Sequence, residues 1–389
     1  MTPVARRRRI LFVQYTNPAG YPSLEHASQL LSDGGWEVRF LGAGAEGAAT
    51  LELEPYPRVS ARQMPYHAPG PAQKLHYAAW LAWVTVTVGT WRPDWVYASD
   101  PLSAPAALVA GHLGAAIVYH EHDSPAAVAV APRRGLQRYL TSARLRVARG
   151  AAVCVVPNAE RAELLAREAG RTNPPLVVWN CPTLREVGPA REPLSPGPIT
   201  LAYHGSIVPA RLPLAVVEAL AQLPGAVRLR VTGYETAGHR GYTEQLRRRA
   251  AELGVADRLE LTGALPTRGG LLAAARTADI ALSLLIEEGA DVNMAHMAGA
   301  SNKPFDYMAA GLPFLVSEGD DWRRMFVEPG YACACDPRDP AAIAAAVGRL
   351  QDEPQRLRAM GEAGRQKILS AWNFETAFAP VAAALEARR

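Results

Sequence analysis

Short apolar runs alternate with helical patterns along nearly the whole chain, and this alternation limits the fold more than any other feature. Twelve runs predict strands, and several are continuously apolar, which is typical of strands that are covered on both faces. The predicted strands are residues 10–14, 37–41, 95–99, 116–122, 152–157 and 176–180, then 199–204, 227–232, 258–262, 279–284, 313–317 and 331–335. The sequence therefore predicts an α/β fold of parallel sheets with right-handed crossovers.

A segment rich in proline and glycine, residues 183–198, separates the two sets of strands. A chain of 389 residues is also longer than one core usually holds. We therefore predict an N-terminal Rossmann-like domain at residues 1–182, a linker at 183–198 and a C-terminal Rossmann-like domain at 199–370. Residues 371–389 have a helical spacing of apolar side chains and are expected to cross back onto the first domain.

Charge and cysteine content exclude several classes of protein. The 41 basic and 37 acidic residues nearly balance, so charge gives no support for a nucleic-acid partner. The basic start of the chain leads into only five apolar residues, which favours a strand over a signal peptide. Cys333 and Cys335 lack a second ligand pair at zinc spacing, so we expect no metal site and a reducing, cytoplasmic location.

An uncharged stretch at residues 76–91 contains Trp80, Trp83 and Trp91. It is too short for an ordinary membrane span and predicts a buried helix. The alternative is that its tryptophans contact a membrane or an apolar acceptor, so membrane contact is expected to be peripheral at most.

Ligands of parallel sheets bind beyond the carboxyl ends of the strands, so the loops there are the candidate site. After the first strand, Gly20 allows close approach of the backbone, and the following helix offers free N–H groups. The loop lacks the spacing of a dinucleotide site, and an ordinary strand–helix turn is the alternative. At the end of the fourth strand, His120, His122 and Asp123 cluster. A histidine there can position a substrate hydroxyl, while a metal site or a satisfied polar cluster are the alternatives.

Two segments of the second half predict an anion site. Gly205, Ser206 and Arg211 follow a strand, and arginine offers a fork to phosphate oxygens, although a solvated charge is the alternative. The segment AGASNKPFDYMAAGLP, residues 298–313, is more specific. Lys303 is expected beside the start of a helix, where free N–H groups bind phosphate, and Asp306 in its first turn, where a carboxylate can accept ribose hydroxyls. Small residues that let the backbone line a ligand precede them: Gly299, Ala300 and Ser301.

These motifs resemble the retaining glycosyltransferases of the two-Rossmann-domain GT-B fold, in particular glycosyltransferase family 4. The resemblance covers nearly the whole chain. In the second half it rests on HGSIVPARLPLAVVEAL, VRLRVTG, RLELTGALP, ADIALSLL and SNKPFDYMAAGLPFLVSE, in family order. In the first half, GGWEVRFLG and IVYHEHD are similar to the family's early strand units.

The resemblance implies roles for the candidate residues. His122 and Asp123 correspond to the reaction centre, Arg211 to the diphosphate-binding cation and Asp306 to the ribose ligand. The backbone of four residues would line the donor phosphate and sugar: Gly299, Ala300, Ser301 and Asn302. The sequence departs from the family at Ala298, where many members have a glutamate, and at Ser206, where a basic residue is usual.

The implied activity is metal-independent transfer of a hexose-type sugar, with retention, from a UDP- or GDP-linked donor, with no further cofactor. The expected acceptor is a hydroxyl of a small natural product or of an envelope glycan. Two alternatives stay open, a non-catalytic nucleotide-sugar-binding scaffold and a nucleotide-sugar epimerase. The epimerase would need acid–base carboxylates that the stretch from Ala298 to Lys303 lacks.

Overall fold

The computed structural model describes residues 7–125, 135–191, 198–287 and 292–388, and it contains two parallel sheets. The seven-stranded first sheet has the order β3-β2-β1-β4-β5-β6-β7. Its strands are β1 (Arg9–Val13), β2 (Glu37–Ala43), β3 (Val59–Met64), β4 (Trp95–Ser99), β5 (Ala116–His120), β6 (Val153–Val156) and β7 (Leu176–Val177). The order reverses between β1 and β4, which is the point where a doubly wound sheet binds its ligands.

Five helices connect the strands of the first sheet: α1 (Pro22–Asp33), α2 (Pro71–Trp91), α3 (Ala104–His112), α4 (Leu136–Gly150) and α5 (Ala159–Ala169). Inner residues of α2, α3, α4 and α5 share one core cluster, whereas those of α1 share another. The helices therefore cover both faces of the sheet, which explains the continuously apolar strands.

The six-stranded second sheet has the order β10-β9-β8-β11-β12-β13, and all its pairs are parallel. Its strands are β8 (Ile199–Ile207), β9 (Val227–Glu235), β10 (Leu259–Gly263), β11 (Ile280–Ser283), β12 (Phe314–Ser317) and β13 (Ala332–Cys335). The remaining helices are α6 (Leu214–Gln222), α7 (Tyr242–Glu252), α8 (Arg268–Arg276), α9 (Val292–Ala295), α10 (Asn302–Ala309), α11 (Asp320–Trp322), α12 (Pro340–Asp352), α13 (Pro354–Ser370) and α14 (Phe374–Ala387).

Helix α14 belongs to the core of the first sheet although it ends the chain. Its apolar stripe of Phe374, Phe378, Val381 and Leu385 is buried among side chains of β1, β2 and α1. The stretch Pro354–Ala387 has a window of mean hydropathy 1.2, long and apolar enough to cross a membrane by composition alone. The stretch is not one continuous helix, because α13 ends at Ser370 and α14 begins at Phe374. The apolar stripe of α14 is buried inside the protein, as in the core helix of a globular domain.

The twelve predicted strands are present, with ends shifted by a few residues. The sequence missed β3, an edge strand whose four middle residues are exposed and mostly polar. It also missed α4, an arginine-rich helix. The predicted linker, residues 183–198, lies partly outside the described residues, because 192–197 are not among them.

The prediction that residues 76–91 form a buried helix was half wrong. Helix α2 exists and buries Trp80 and Trp91, but one side of it is exposed, with 75% of Leu75 and 61% of Val86 accessible. The burial of Trp80 and Trp91 excludes membrane contact through these two side chains, whereas Trp83 is only partly buried.

Candidate functional site

A cavity of about 420 Å³ lies between the carboxyl ends of the two sheets. Most of the residues predicted as a site line it: Gly20, His122, Asp123, Gly205, Ser206, Arg211, Ala300, Ser301, Asn302, Lys303 and Asp306. Gly299 does not line it. Its φ of +78° shapes the turn before α10, and its Cα faces Trp179 and Asn158 instead.

Asn17 fixes the first loop of the cavity. Its side-chain oxygen accepts hydrogen bonds from the Ala19 amide and from Gln63, both at 3.0 Å. Its Nδ2 donates to the carbonyl groups of Ala48 and Leu51 at 2.8 and 3.0 Å. The short 3-10 helix Pro18–Gly20 and the start of α1 are held at the cavity wall in this way.

His122 is the buried histidine that the first domain contributes to the cavity wall. Its ring lies 5.0 Å from the Tyr21 ring and 3.8 Å from the His120 ring. Neither ring nitrogen has a hydrogen-bond partner within the described chain. Burial and the positive charge of Arg161 lower the pKa of His122 to about 3, so the ring is neutral near pH 7. A neutral imidazole at a cavity wall can donate one hydrogen bond and accept another from a bound sugar.

Asp100 positions the His122 loop, and the sequence analysis missed it. The Asp100 carboxylate accepts hydrogen bonds from the His122 amide at 2.9 Å and from the Asp123 amide at 3.4 Å. The residue has a φ of +64°, which is uncommon for a non-glycine residue. Burial and the nearby Asp123 raise the pKa of Asp100 to about 8. Its place at the carboxyl end of β4 is the signal that could have revealed it.

Two cations converge on the other wall. The side chain of Lys303 runs close to the backbone of Gly205, since a Cβ atom added to this glycine would lie 3.2 Å from Cε of Lys303. The Nζ of Lys303 lies over the ring of Tyr203. Arg211 donates a hydrogen bond to the Ser206 hydroxyl at 2.9 Å. Neither cation forms a salt bridge with a carboxylate of the described residues, so their charges are available to an anion in the cavity.

Burial and repulsion from Arg211 lower the pKa of Lys303 to about 7. Without an anion, the ammonium group is therefore only partly charged near neutral pH. A bound diphosphate would stabilise the charged form, because an opposite charge nearby raises the pKa of a lysine.

Nucleotide affinity is consequently expected to depend on pH. As the pH rises above 7, protonating Lys303 costs more free energy, and the dissociation constant for a nucleoside diphosphate should increase by up to about tenfold per unit. Calorimetric titrations in two buffers of different ionisation enthalpy measure this proton uptake directly. Lys303→Met should bind without it, and an unchanged proton uptake in that variant would refute the assignment.

Asp306 differs from its predicted setting. Helix α10 begins at Asn302, so Asp306 lies in its second turn and not its first. Both carboxylate oxygens accept hydrogen bonds from Arg268, at 2.6 and 3.3 Å. Burial raises the pKa of Asp306, and Arg268 opposes that rise. The expectation that Asp306 lies in the first turn of the helix was therefore wrong, and its carboxylate forms an ion pair with Arg268.

Arg268 links three parts of the chain, and the sequence analysis missed it together with two of its partners, Glu186 and His26. Its Nε lies 2.5 Å from Oε1 of Glu186, which belongs to the segment predicted as a linker. His26 of α1 lies 2.9 Å from the same carboxylate. Burial works against the charge of Glu186, but Arg268 and His26 hold its pKa well below the usual value. Arg268 directly follows the loop after β10, so its position at the edge of the sheet was the available signal.

Hydrogen bonds connect the two domains across the cleft between the sheets. The Ser124 amide donates to Asn293 at 2.8 Å, and the Asn293 amide group donates back to the Ser124 carbonyl. The Glu52 amide donates to the Pro266 carbonyl at 2.8 Å on the opposite rim. Within the part of the chain that the structure describes, no group of three His, Cys, Asp or Glu side chains is placed to hold a metal ion.

Comparison with known proteins matches each half of the chain to a glycosyltransferase family model. Residues 22–181 match the model of the glycosyl transferase 4-like domain, and residues 214–381 match that of the glycosyl transferase-like family. One relative is the GDP-mannose-dependent alpha-(1-6)-phosphatidylinositol monomannoside mannosyltransferase of Mycolicibacterium smegmatis, 30% identical over 158 residues. The alignment covers 41% of this chain and 40% of that relative.

Solved structures agree over the whole length. HepE of Anabaena, in complex with UDP and glucose, is 16% identical with a TM-score of 0.71, and the match covers 98% of this chain and 100% of that one. A sucrose-phosphate synthase from Thermosynechococcus elongatus is 16% identical with a TM-score of 0.69, covering 98% and 99%. Because the sequence identities are this low, the similarities to these solved structures show the fold alone. Each half of the chain therefore contains a domain of a glycosyltransferase family, residues 22–181 the glycosyl transferase 4-like domain and residues 214–381 the glycosyl transferase-like domain, and the two together have the GT-B fold.

Proposed function

We propose that this protein transfers a hexose-type sugar from a nucleoside diphosphate donor to a hydroxyl of an acceptor, with retention of anomeric configuration. The observation that carries the proposal is the convergence of Lys303 and Arg211 on a cavity whose opposite wall presents the unpartnered ring of His122. Cleaving a sugar–diphosphate bond leaves negative charge on the diphosphate and positive charge on the sugar. A pair of unneutralised cations and a neutral hydrogen-bonding ring suit these two fragments.

In this proposal the diphosphate lies against Arg211, Lys303 and the first turn of α10, which together stabilise the leaving group without a metal ion. The donor sugar extends towards His122 and Asp123, and the acceptor approaches from the first domain. The Asp123 side chain is 63% exposed and faces this opening. The acceptor oxygen attacks from the face that the diphosphate leaves, so Ala298 needs no carboxylate as a covalent nucleophile.

The proposal also specifies the nucleobase of the donor and the class of the acceptor. Thr232, Tyr234, Leu265 and Pro266 form an apolar and aromatic part of the cavity that suits a nucleobase. HepE was solved with UDP, and the mycobacterial relative uses GDP-mannose by its name, which supports UDP and GDP as the bases to test. The name of the same relative supports an envelope glycan precursor as the acceptor.

A turnover assay separates the proposal from its alternatives. The protein is incubated with UDP- or GDP-linked hexoses, with and without a pool of glycolipid precursors. Release of nucleoside diphosphate that requires the acceptor supports a transferase, and the anomeric NMR coupling of the product tests retention. Isomerised donor without acceptor would indicate an epimerase, and binding without turnover would indicate a scaffold.

His122→Ala is expected to lower kcat by about 10²-fold or more while leaving nucleoside diphosphate affinity within about twofold. The reason is that the ring is placed at the donor sugar and not at the diphosphate. Steady-state kinetics and calorimetry measure the two effects. His112→Ala, which changes an exposed histidine at the end of α3 outside the cavity lining, is the matched control. A kcat equal to that of the wild type would remove His122 from the reaction centre.

A further inference from the structure

We infer that the outward side of α2, α3 and α4 is a docking surface for an anionic lipid bilayer. The three helices lie side by side on one face of the first sheet, α2 against α3 and α3 against α4. Their inward residues, such as Trp80, Ala107 and Val147, share one core cluster. Their outward sides therefore form one continuous surface, which we call the α2–α4 surface. The inference is independent of the proposed transfer reaction.

The α2–α4 surface carries most of the large apolar side chains that the described residues expose. Leu75 and Val86 on α2 are the most accessible, and Leu113 follows α3 directly. The others are Val109 on α3 and Leu136 and Tyr139 on α4. A helix as apolar as α2 is normally buried on all sides, yet this one leaves a strip about 30 Å long at the surface. Exposed apolar residues concentrated in this way mark an interaction site.

The charges of the α2–α4 surface have one sign. None of the three helices contains an aspartate or a glutamate. Lys74 on α2 and Arg138, Arg146 and Arg149 on α4 are exposed. The nearest exposed acidic side chains lie outside the helices, with Asp94 in the loop after α2 and Asp123 at the cavity, and acidic side chains return on α5. Basic residues beside apolar ones complement a bilayer, whose anionic headgroups attract the cations while the acyl boundary accepts the apolar side chains.

This chemistry favours a bilayer over a nucleic acid. The outward residues of α2 between Leu75 and Val86 include Ala78, Ala79 and Ala82, which offer neither hydrogen-bond donors nor aromatic rings for stacking on bases. Nucleic-acid surfaces instead combine basic grooves with stacking aromatic side chains. An apolar strip edged by cations is the pattern of a helix that lies in a membrane interface.

The surface begins beside the cleft. The Tyr15 hydroxyl lies 2.7 Å from Nδ1 of His76 in the second turn of α2, and Tyr15 directly precedes the cavity-lining Thr16 and Asn17. A protein docked through this surface would therefore hold the opening of the cavity next to the bilayer.

Vesicle flotation of the full-length protein tests the inference. The probes are vesicles of phosphatidylcholine alone and vesicles with one third phosphatidylglycerol. We expect the wild type to float with the anionic vesicles and to be released at high salt, since screening weakens the electrostatic attraction. Leu75→Glu/Val86→Glu and Arg138→Glu/Arg146→Glu should each weaken the partition by about tenfold or more, because they remove the apolar and the basic contribution separately.

Matched changes elsewhere provide the control. Leu184→Glu/Leu369→Glu, on two exposed leucines outside this surface, and Arg247→Glu/Arg248→Glu on α7 introduce the same changes of charge at other exposed positions and should float like the wild type. Circular dichroism melts establish that every variant is folded. Absence of wild-type binding to anionic vesicles would overturn the inference. So would equal loss in the controls, retention on single-stranded DNA in place of vesicles, or a wild-type dimer that Leu75→Glu/Val86→Glu converts to a monomer without any vesicle binding.

Discussion

Lys303→Met is expected to lower kcat/KM by about 10²–10³-fold, because it removes a preorganised charge from the site where negative charge develops on the leaving diphosphate. Methionine keeps most of the length of the side chain, so Tyr203 and Gly205 keep a neighbour of similar size. The variant also loses the cost of burying an ammonium group, and we therefore expect it to be at least as stable as the wild type. Steady-state kinetics with the donor identified in the turnover assay measures the effect.

The chain offers a close control for this change. Lys367 on α13 also lies over an aromatic ring, that of Trp372, but it is not among the residues that line the cavity. Lys367→Met therefore removes the same charge from a similar contact and should leave kcat/KM within about twofold of the wild type. Equal rates for Lys303→Met and wild type would mean that Lys303 does not stabilise the leaving group.

Arg268→Met is expected to destabilise the fold by about 3–5 kcal/mol, which is the usual effect of leaving a buried charge without its partner. The guanidinium group is buried and neutralises Asp306 and Glu186 together. The unfolding midpoint in urea or on heating measures the loss. Arg248→Met, an exposed pair partner on α7, should change stability by less than about 0.5 kcal/mol.

A double variant tests whether Arg268 is the shared partner of Asp306 and Glu186. Arg268→Met/Asp306→Asn removes the cation and one of the two carboxylates, so it should be more stable than Arg268→Met alone. The two changes together would then be less than additive. Full additivity, or an Arg268→Met protein as stable as the wild type, would contradict the description of Arg268 as the shared partner of both carboxylates.

The strands could be predicted because buried parallel strands leave a local signal. The runs at β4 and β12 are fully buried, and each is an unbroken apolar stretch bounded by turn residues. The edge strand β3 has no such signal, since its polar side chains face solvent. Helix α4 was missed because its exposed arginines obscure the apolar spacing of Ala143 and Val147.

The site could be predicted only in part, for a related reason. Arg211 lies four residues after the end of β8, so the rule about carboxyl ends of strands is sufficient to find it. Lys303 lies 20 residues after the end of β11, and the signal that found it was the local pattern of small residues before a helix start. The ion pair of Arg268 and Asp306 joins residues 38 positions apart, and the one with Glu186 spans 82 positions. No local spacing predicts such contacts, and only the packing of α8, α10 and the segment after β7 produces them. The exposed strip of α2 was hidden likewise, because composition does not tell a buried helix from one at a surface.

Thermal unfolding with UDP, GDP and ADP tests the central claim most directly, namely that the cavity between the sheets is a nucleoside diphosphate site. A ligand that binds only the native protein stabilises it by about 2.7 kcal/mol at a hundredfold excess over Kd. The account predicts that UDP or GDP raises the Tm of the wild type and of Lys367→Met, and that Lys303→Met loses most of this shift. No shift with any of the three nucleotides, or equal shifts in Lys303→Met and Lys367→Met, would contradict it.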